Sequence, residues 1–317
     1  MVSPDDRISL KGRLILIALA VAVGFSFLAF YHFLFHYQPA DETASVPPAP
    51  APAPPPVPAL ALPAGPAFLD SNNQNPLSPG EALERLLGAA EAGSTAAMLN
   101  VAEFYGNGWG ARQNFTERFQ WLQKAAEAGD PLGIFRAGLA LELGLGIPAD
   151  QAAAARAFEQ AADLGLPEAH FKLAQGLLVG PEAAPARAAA HLEQALAGGL
   201  PPAANLLGLL YLQGLGDLTA DAGKARQALQ RGAELADPEA LKNLAVMFKE
   251  GWGGPADPAQ ALKWYLAARE AGWSEGDLKE TLAELESRVG AQAARDAEAE
   301  ARAWLAERRP GQNHLAQ

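Results

Sequence analysis

"NVAEFYGNGWGARQNFTERFQWLQKAAEAGD" runs from Asn100 to Asp130, and "RAGLALELGLGIPADQAAAARAFEQAADLGL" runs from Arg136 to Leu166. At one constant offset Gly108 and Gly110 meet Gly144 and Gly146, Ala125 and Ala126 meet Ala161 and Ala162, and Gly129 meets Gly165. The pattern returns with Gly214 and Gly216, and again with Gly251 and Gly253. A shorter copy, Lys172 to Gly199, keeps Gly180 and lacks the second glycine of the pair. Self-similarity at this period is the mark of a helical solenoid, whose units bury their apolar faces against one another.

Within a unit, apolar residues recur at spacing four, as in Ala97, Val101 and Tyr105, and again in Trp121 and Ala125. That spacing predicts two helices, here called A and B, joined by a glycine turn. Each unit then closes on a glycine, the usual left-handed helix terminus. The three glycines of "GNGWG", Gly106 to Gly110, therefore read as a corner and not as a phosphate cradle. A dinucleotide fingerprint needs a preceding strand, and a P-loop needs Gly-Lys-Ser/Thr; neither context is present.

These residues resemble the Sel1-like repeat, a tetratricopeptide-like helical unit. The fourth copy carries Ala203, Leu207, Gly208, Tyr211, Gly214 and Gly216. The fifth carries Ala240, Leu244, Gly251, Gly253, Asp257, Ala261, Trp264, Tyr265 and Gly272. The resemblance covers residues 80–273 as five units behind a half unit, "ALERLLGAAEAG". It implies an all-α solenoid that binds other proteins as an adaptor or regulator. It also implies that helix A lines the concave surface. In that register the candidate groove comprises Leu132, Phe135, Leu139, Phe171, Gln175, Leu178, Asn205, Leu209 and Leu212, with a charged end at Glu239, Lys242, Lys249 and Glu250. Such a groove suits an amphipathic helix or an extended peptide with apolar anchors. The alternative is that these residues pack against the neighbouring helix A and meet no partner.

Ahead of the repeats, Leu14 to Phe35 is an unbroken apolar run without Asp, Glu, Lys or Arg. As a helix it would span about 33 Å, enough for a bilayer core. Arg7, Lys11 and Arg13 precede it, and "QPADETAS" after it carries only acidic charge. The positive-inside rule then keeps residues 1–13 in the cytoplasm, places a transmembrane helix at 14–36 and exports the rest of the chain. A cleaved signal peptide is the alternative, but its apolar region is shorter and ends at a small-residue site. Here Phe30, Tyr31, Phe33, Phe35 and Tyr37 close the run like an interfacial aromatic belt. His32 and His36 share one face of that helix and read as polar residues of the outer interface, since no acidic third ligand accompanies them. Residues 37–79 are rich in proline and alanine and predict an extended spacer, about 60 Å from Pro47 to Pro66 in polyproline II. A ligand for a proline-recognising domain is the other reading. "LDSNNQNPLSPG" ends the spacer in turn-forming residues.

Behind the repeats, residues 274–317 do not repeat. Ser274 with Asp277 resembles a capping pair. Leu278, Leu282, Leu285 and Val289 form a helical stripe, and a last helix ending in "ARAWLAERR" is expected to cover the solenoid's open end.

The chain contains no cysteine, so it has no disulfide, thiolate metal site or cysteine nucleophile. Its net charge of −12 opposes bulk nucleic-acid binding. It shows no G-x-S-x-G, H-E-x-x-H or Walker motif. No catalytic, cofactor-binding or metal-ligating residue is assigned. His170 and His191 are read as belonging to different repeat units, each a surface or packing residue, and His314 as a lone tail residue. "NFT" at Asn114 matches a glycosylation sequon, to which no weight is given. The resulting expectation is an envelope protein of a bacterium, anchored in the inner membrane, with a periplasmic repeat domain that scaffolds envelope proteins. A regulatory or antidote protein against a toxin or sensor is the alternative.

Overall fold

The structure, a computed structural model, describes residues 68–69, 76–179, 183–274 and 278–308. The apolar run with His32 and His36, most of the proline-rich segment, Gly180, Asp277 of the suggested capping pair and His314 lie outside the described residues. Among the described residues, no helix is long and apolar enough to cross a membrane.

A short antiparallel ladder comes first, β1 (Phe68–Leu69) against β2 (Pro76–Leu77), with Phe68 opposite Leu77. It lies within the segment read as an extended spacer, ahead of the all-helical repeats. Helix α1 (Pro79–Glu91) begins at the last residue of the segment read as spacer. Ser78 caps it in a reciprocal box with Glu81, whose carboxyl is held below its usual range first by the Ser78 side chain and then by the Ser78 backbone.

Then come α2 (Thr95–Asn107), α3 (Phe115–Glu127), α4 (Pro131–Leu143), α5 (Gln151–Asp163), α6 (Pro167–Leu177), α7 (Pro185–Ala197), α8 (Pro202–Gln213), α9 (Ala222–Glu234), α10 (Pro238–Glu250) and α11 (Pro258–Glu270). They alternate as A and B helices of five repeats. Helices α12 (Leu278–Val289) and α13 (Ala291–Arg308) come last. The described residues divide into two compact units between Gln160 and Ala161.

In the N-terminal unit α2 packs on α1 and α3, and α3 packs on α4. Its core holds Leu83, Val101, Phe104, Trp121 and Leu122, all buried. In the C-terminal unit α6 pairs with α7, α8 with α9, and α10 with α11, and each B helix from α7 on also meets the next A helix. Small residues allow this approach: a Cβ on Gly232 of α9 would meet the Cβ atoms of both Ala204 and Ala240. Helix α13 lies on α11, with Trp304 edge-on to Trp264 at 5.0 Å and Lys263 paired to Glu300 at 3.0 Å. Leu282 and Leu285 of the α12 stripe are buried.

Helix starts follow a rule with one gap. Ser94, Asn114, Asp130, Asp221, Asp237 and Asp257 each accept backbone N–H bonds at the head of a helix. Asn114 of the sequon match is thereby engaged, accepting from Thr116 and Glu117. At the head of α6, α7 and α8 stand Leu166, Ala184 and Pro201, which supply no such bond. The α7 head is served instead from the fourth repeat, where Asp217 Oδ1 accepts from the Ala186 N–H at 3.0 Å; at α6 and α8 the missing side-chain cap costs about 1 kcal/mol each.

The paired glycines divide two tasks. The first, as at Gly251 (φ 72°), terminates helix A in the left-handed region. The second, as at Gly253 (φ 73°), leaves no room for a Cβ, because the Ala222 carbonyl of the preceding B helix sits against it. Gly146 stands in the same relation to the Phe115 carbonyl.

Candidate functional site

Each compact unit carries its own share of the candidate groove. In the N-terminal unit, Leu132, Phe135 and Leu139 stand on α4 and are half-buried. Leu132 packs against the unit's core, and the Phe135 ring lies 5.5 Å from Phe158 of α5. Beside them Arg136 of α4 bonds Glu103 of α2 at 3.0 Å, and Arg118 of α3 approaches the same carboxylate at 3.7 Å. This ion cluster crosses from the first repeat to the second. Its members are about a quarter to a third exposed, so its contribution is on the order of 1 kcal/mol or less.

In the C-terminal unit, Phe171 and Gln175 of α6 are half-buried, as are Asn205, Leu209 and Leu212 of α8. Leu178 corrects the groove register: it is 1% exposed and belongs to the core. The degenerate third repeat ends helix A at Leu178 without a left-handed glycine, so its side chain turns inward.

Asn205 is part of a polar ladder between the fourth and fifth repeats. Its amide donates to Asp237 Oδ1 at 3.1 Å, and its Oδ1 accepts from Asn243 Nδ2 at 3.0 Å. Lys242 Nζ donates to Asn243 Oδ1 at 2.8 Å and lies 5.6 Å from the Trp273 ring centre. Lys242 and Asn243 are 3% and 5% exposed. Lys242 is therefore not the exposed charged end of a groove. Burial of a charge requires such partners, and sequence register alone did not reveal them. Lys249 is taken up by Glu284 of α12 at 3.2 Å, Glu239 is half-buried, and Glu250 is exposed.

Two further groupings were missed in the sequence. Tyr211 of α8 donates to Glu193 of α7 at 2.6 Å, and burial with that carboxylate pushes its phenol up to about 12. His170 and His191 belong to the same repeat, the third, not to different ones. His170 on α6 and His191 on α7 bring their Nδ1 atoms to 3.0 Å. Their separation in sequence equals the step from helix A to helix B, and that was the available signal.

Among the described residues no three His, Asp or Glu side chains converge in a form that could hold a metal ion. The arrangement offers helix faces, with partly exposed apolar side chains on α4, α6 and α8, for contact with another chain.

A glycine-turned array of paired A and B helices defines a helical-repeat solenoid. The sequence matches the Sel1 repeat family in five consecutive units, at residues 95–130, 131–166, 167–200, 201–237 and 238–273. These span more than half of the chain, and the protein belongs to that family. It is similar in structure to a Sel1 repeat protein from Oxalobacter formigenes, with 26% identity and a TM-score of 0.55, over 74% of this chain and 92% of that one. It is also similar to c5321, a protective antigen present in uropathogenic Escherichia coli strains, with 21% identity and a TM-score of 0.41, over 75% of this chain and 59% of that one. A third similarity is to the immunity protein Pa5087 from Pseudomonas aeruginosa, with 20% identity and a TM-score of 0.40, over 71% of this chain and 77% of that one. A Sel1 repeat solenoid is a fold for protein–protein interaction, and the partners it implies are proteins.

Proposed function

We propose that this protein is a membrane-anchored scaffold of the bacterial envelope, with its repeats in the periplasm and its partner held on helix A faces. The observation that carries the reading is the order of parts: a basic leader, the apolar run Leu14 to Phe35, a proline-rich segment and five interaction repeats. The apolar run supplies the anchor, the proline-rich segment the reach, and the repeats the binding surface. It performs no catalysis in this reading; the glycine loops are occupied by helix ends of the preceding repeat. Phe171, Leu209 and Leu212 are the contacts proposed on the C-terminal unit, and Phe135 and Leu139 on the N-terminal one.

Topology is tested by a reporter fused after Gln317. Activity of an export-dependent reporter is expected, and activity confined to a cytoplasmic reporter overturns the anchor. Binding is tested by crosslinking from membranes with the full chain and with Phe171→Glu. The variant is expected to keep its helical signal and lose at least tenfold in partner recovery. Undiminished recovery removes this face as the binding site.

A further inference from the structure

The third repeat departs from its neighbours in three independent respects. At 167–200 it is shorter than the first, second and fifth repeats, at 95–130, 131–166 and 238–273. Its helix α6 starts without a side-chain cap, and α7 is capped only from the fourth repeat, where Asp217 Oδ1 accepts from the Ala186 N–H at 3.0 Å. Its seam is bridged by the two imidazoles, whose Nδ1 atoms are 3.0 Å apart with ring centres at 5.3 Å. We propose that this repeat is an acid-sensitive joint, in which protonation of the His170–His191 pair parts α6 from α7 and loosens the C-terminal unit at that point.

The chemistry follows from the lone pairs. At 3.0 Å one Nδ1 donates its proton and the other accepts. A first added proton takes the free Nε2 lone pair of the donor ring and leaves the Nδ1 bond in place. A second removes the last Nδ1 lone pair. Two N–H groups and two positive charges then face each other, and neither ring can accept. The two rings titrate as a pair, and the second step carries the structural consequence.

The surroundings make that second proton costly. Burial lowers His170, opposed by the Asp163 carboxylate at the end of α5. Burial also lowers His191, helped by the charge of His170 and by Arg187 on its own helix. From α8, Tyr211 donates to Glu193 on α7 and so engages that carboxylate. With both folded values below the ordinary 6.5, the unfolded chain takes up protons first as the pH falls. Stability from the pair is complete above that value and is lost below it. The uncapped head of α6 adds no local side-chain bond to hold the seam once the pair opens.

The test is amide hydrogen exchange of the full chain at pH 7.5 and pH 5.0, expressed as protection relative to intrinsic rates. Amides of α6 and α7 are expected to lose protection selectively at pH 5.0, while α10 and α11 change less. His170→Asn with His191→Asn keeps a neutral donor and acceptor near the Nδ1 positions and is expected to flatten the difference. Equal acid loss in all repeats, or the same selective loss in a folded double variant, overturns the proposal. If the double variant does not fold, imidazole nitrogen NMR of the unaltered chain decides. A shared Nδ1 proton near neutral pH that disappears as α6 and α7 open supports the joint; opening with the pair still singly protonated overturns it.

Discussion

Gly253→Val is expected to unfold the fifth repeat locally and to cost about 2–5 kcal/mol. A residue other than glycine in the left-handed region costs roughly 1–2 kcal/mol, and forcing atoms into a filled space adds about 1–3. At Gly253 the filled space is backbone: the Ala222 carbonyl and the Gly223 amide at the head of α9. Backbone at a helix head cannot rotate away as a side chain can. Gly251→Val carries the same dihedral strain, but its nearest new neighbour is the Ala256 nitrogen at 3.0 Å. It is expected to cost less, although its glycine is the one that ends the helix. Gly272→Ala isolates the backbone term, because at φ 108° its Cβ meets nothing within 4 Å. Ala236 offers the converse. It sits at φ 55°, the one described residue other than glycine with positive φ, so Ala236→Gly is expected to stabilise by about 1 kcal/mol. Urea unfolding combined with hydrogen exchange in α10 and α11 checks the series. A Gly253→Val variant as stable as Gly272→Ala would show that the turn does not bear on the preceding repeat.

That ranking also marks how far the sequence could be read. Recurrence of the glycine pair at a fixed period is enough to give helix, turn and helix, because a left-handed terminus favours glycine, with Ala236 after α9 the one described exception. The second glycine's reason lies one repeat upstream, as Gly253 against Ala222 and Gly146 against Phe115 show, and a single sequence does not display that contact. The candidate groove was legible in the same partial way. Register placed Phe135, Phe171 and Leu209 on helix A and left them half-exposed. It could not foresee that the shortened third repeat turns Leu178 inward, or that Trp273 and two asparagines take Lys242 into the interior. Those outcomes depend on neighbours brought in by packing. The histidine pair was hidden for a simpler reason: the weak third copy blurred the repeat boundary, so that one unit's two histidines fell into separate units.

Trp121→Ala is expected to cost about 3–5 kcal/mol, the range for a buried tryptophan. Its ring is 6% exposed, packed in the core of the N-terminal unit with Lys124 Nζ 3.6 Å from its centre. Trp264 holds the equivalent place in the fifth repeat, and by sequence the two should behave alike. They differ because Trp264 has no sixth repeat to cover it. Its outer side meets α13, where Trp304 stands edge-on at 5.0 Å and Arg308 lies 4.1 Å from the Trp304 ring centre. The ring stays half-buried, and its buried indole N–H finds no acceptor. Trp264→Ala should therefore cost less than Trp121→Ala, and much of the loss should be shared with Trp304. A double-mutant cycle is expected to give about 0.5–1.5 kcal/mol of coupling, the range for aromatic pairs. Because repeats fail through their neighbours, the loss at Trp264 should appear first as faster exchange in α11 and α13, whereas Trp121→Ala should expose α2 and α3. Equal losses for the two tryptophans, or no coupling to Trp304, would mean that α13 does not close the fifth repeat in solution. That result would leave the terminal apolar face without the cover that a repeat array requires.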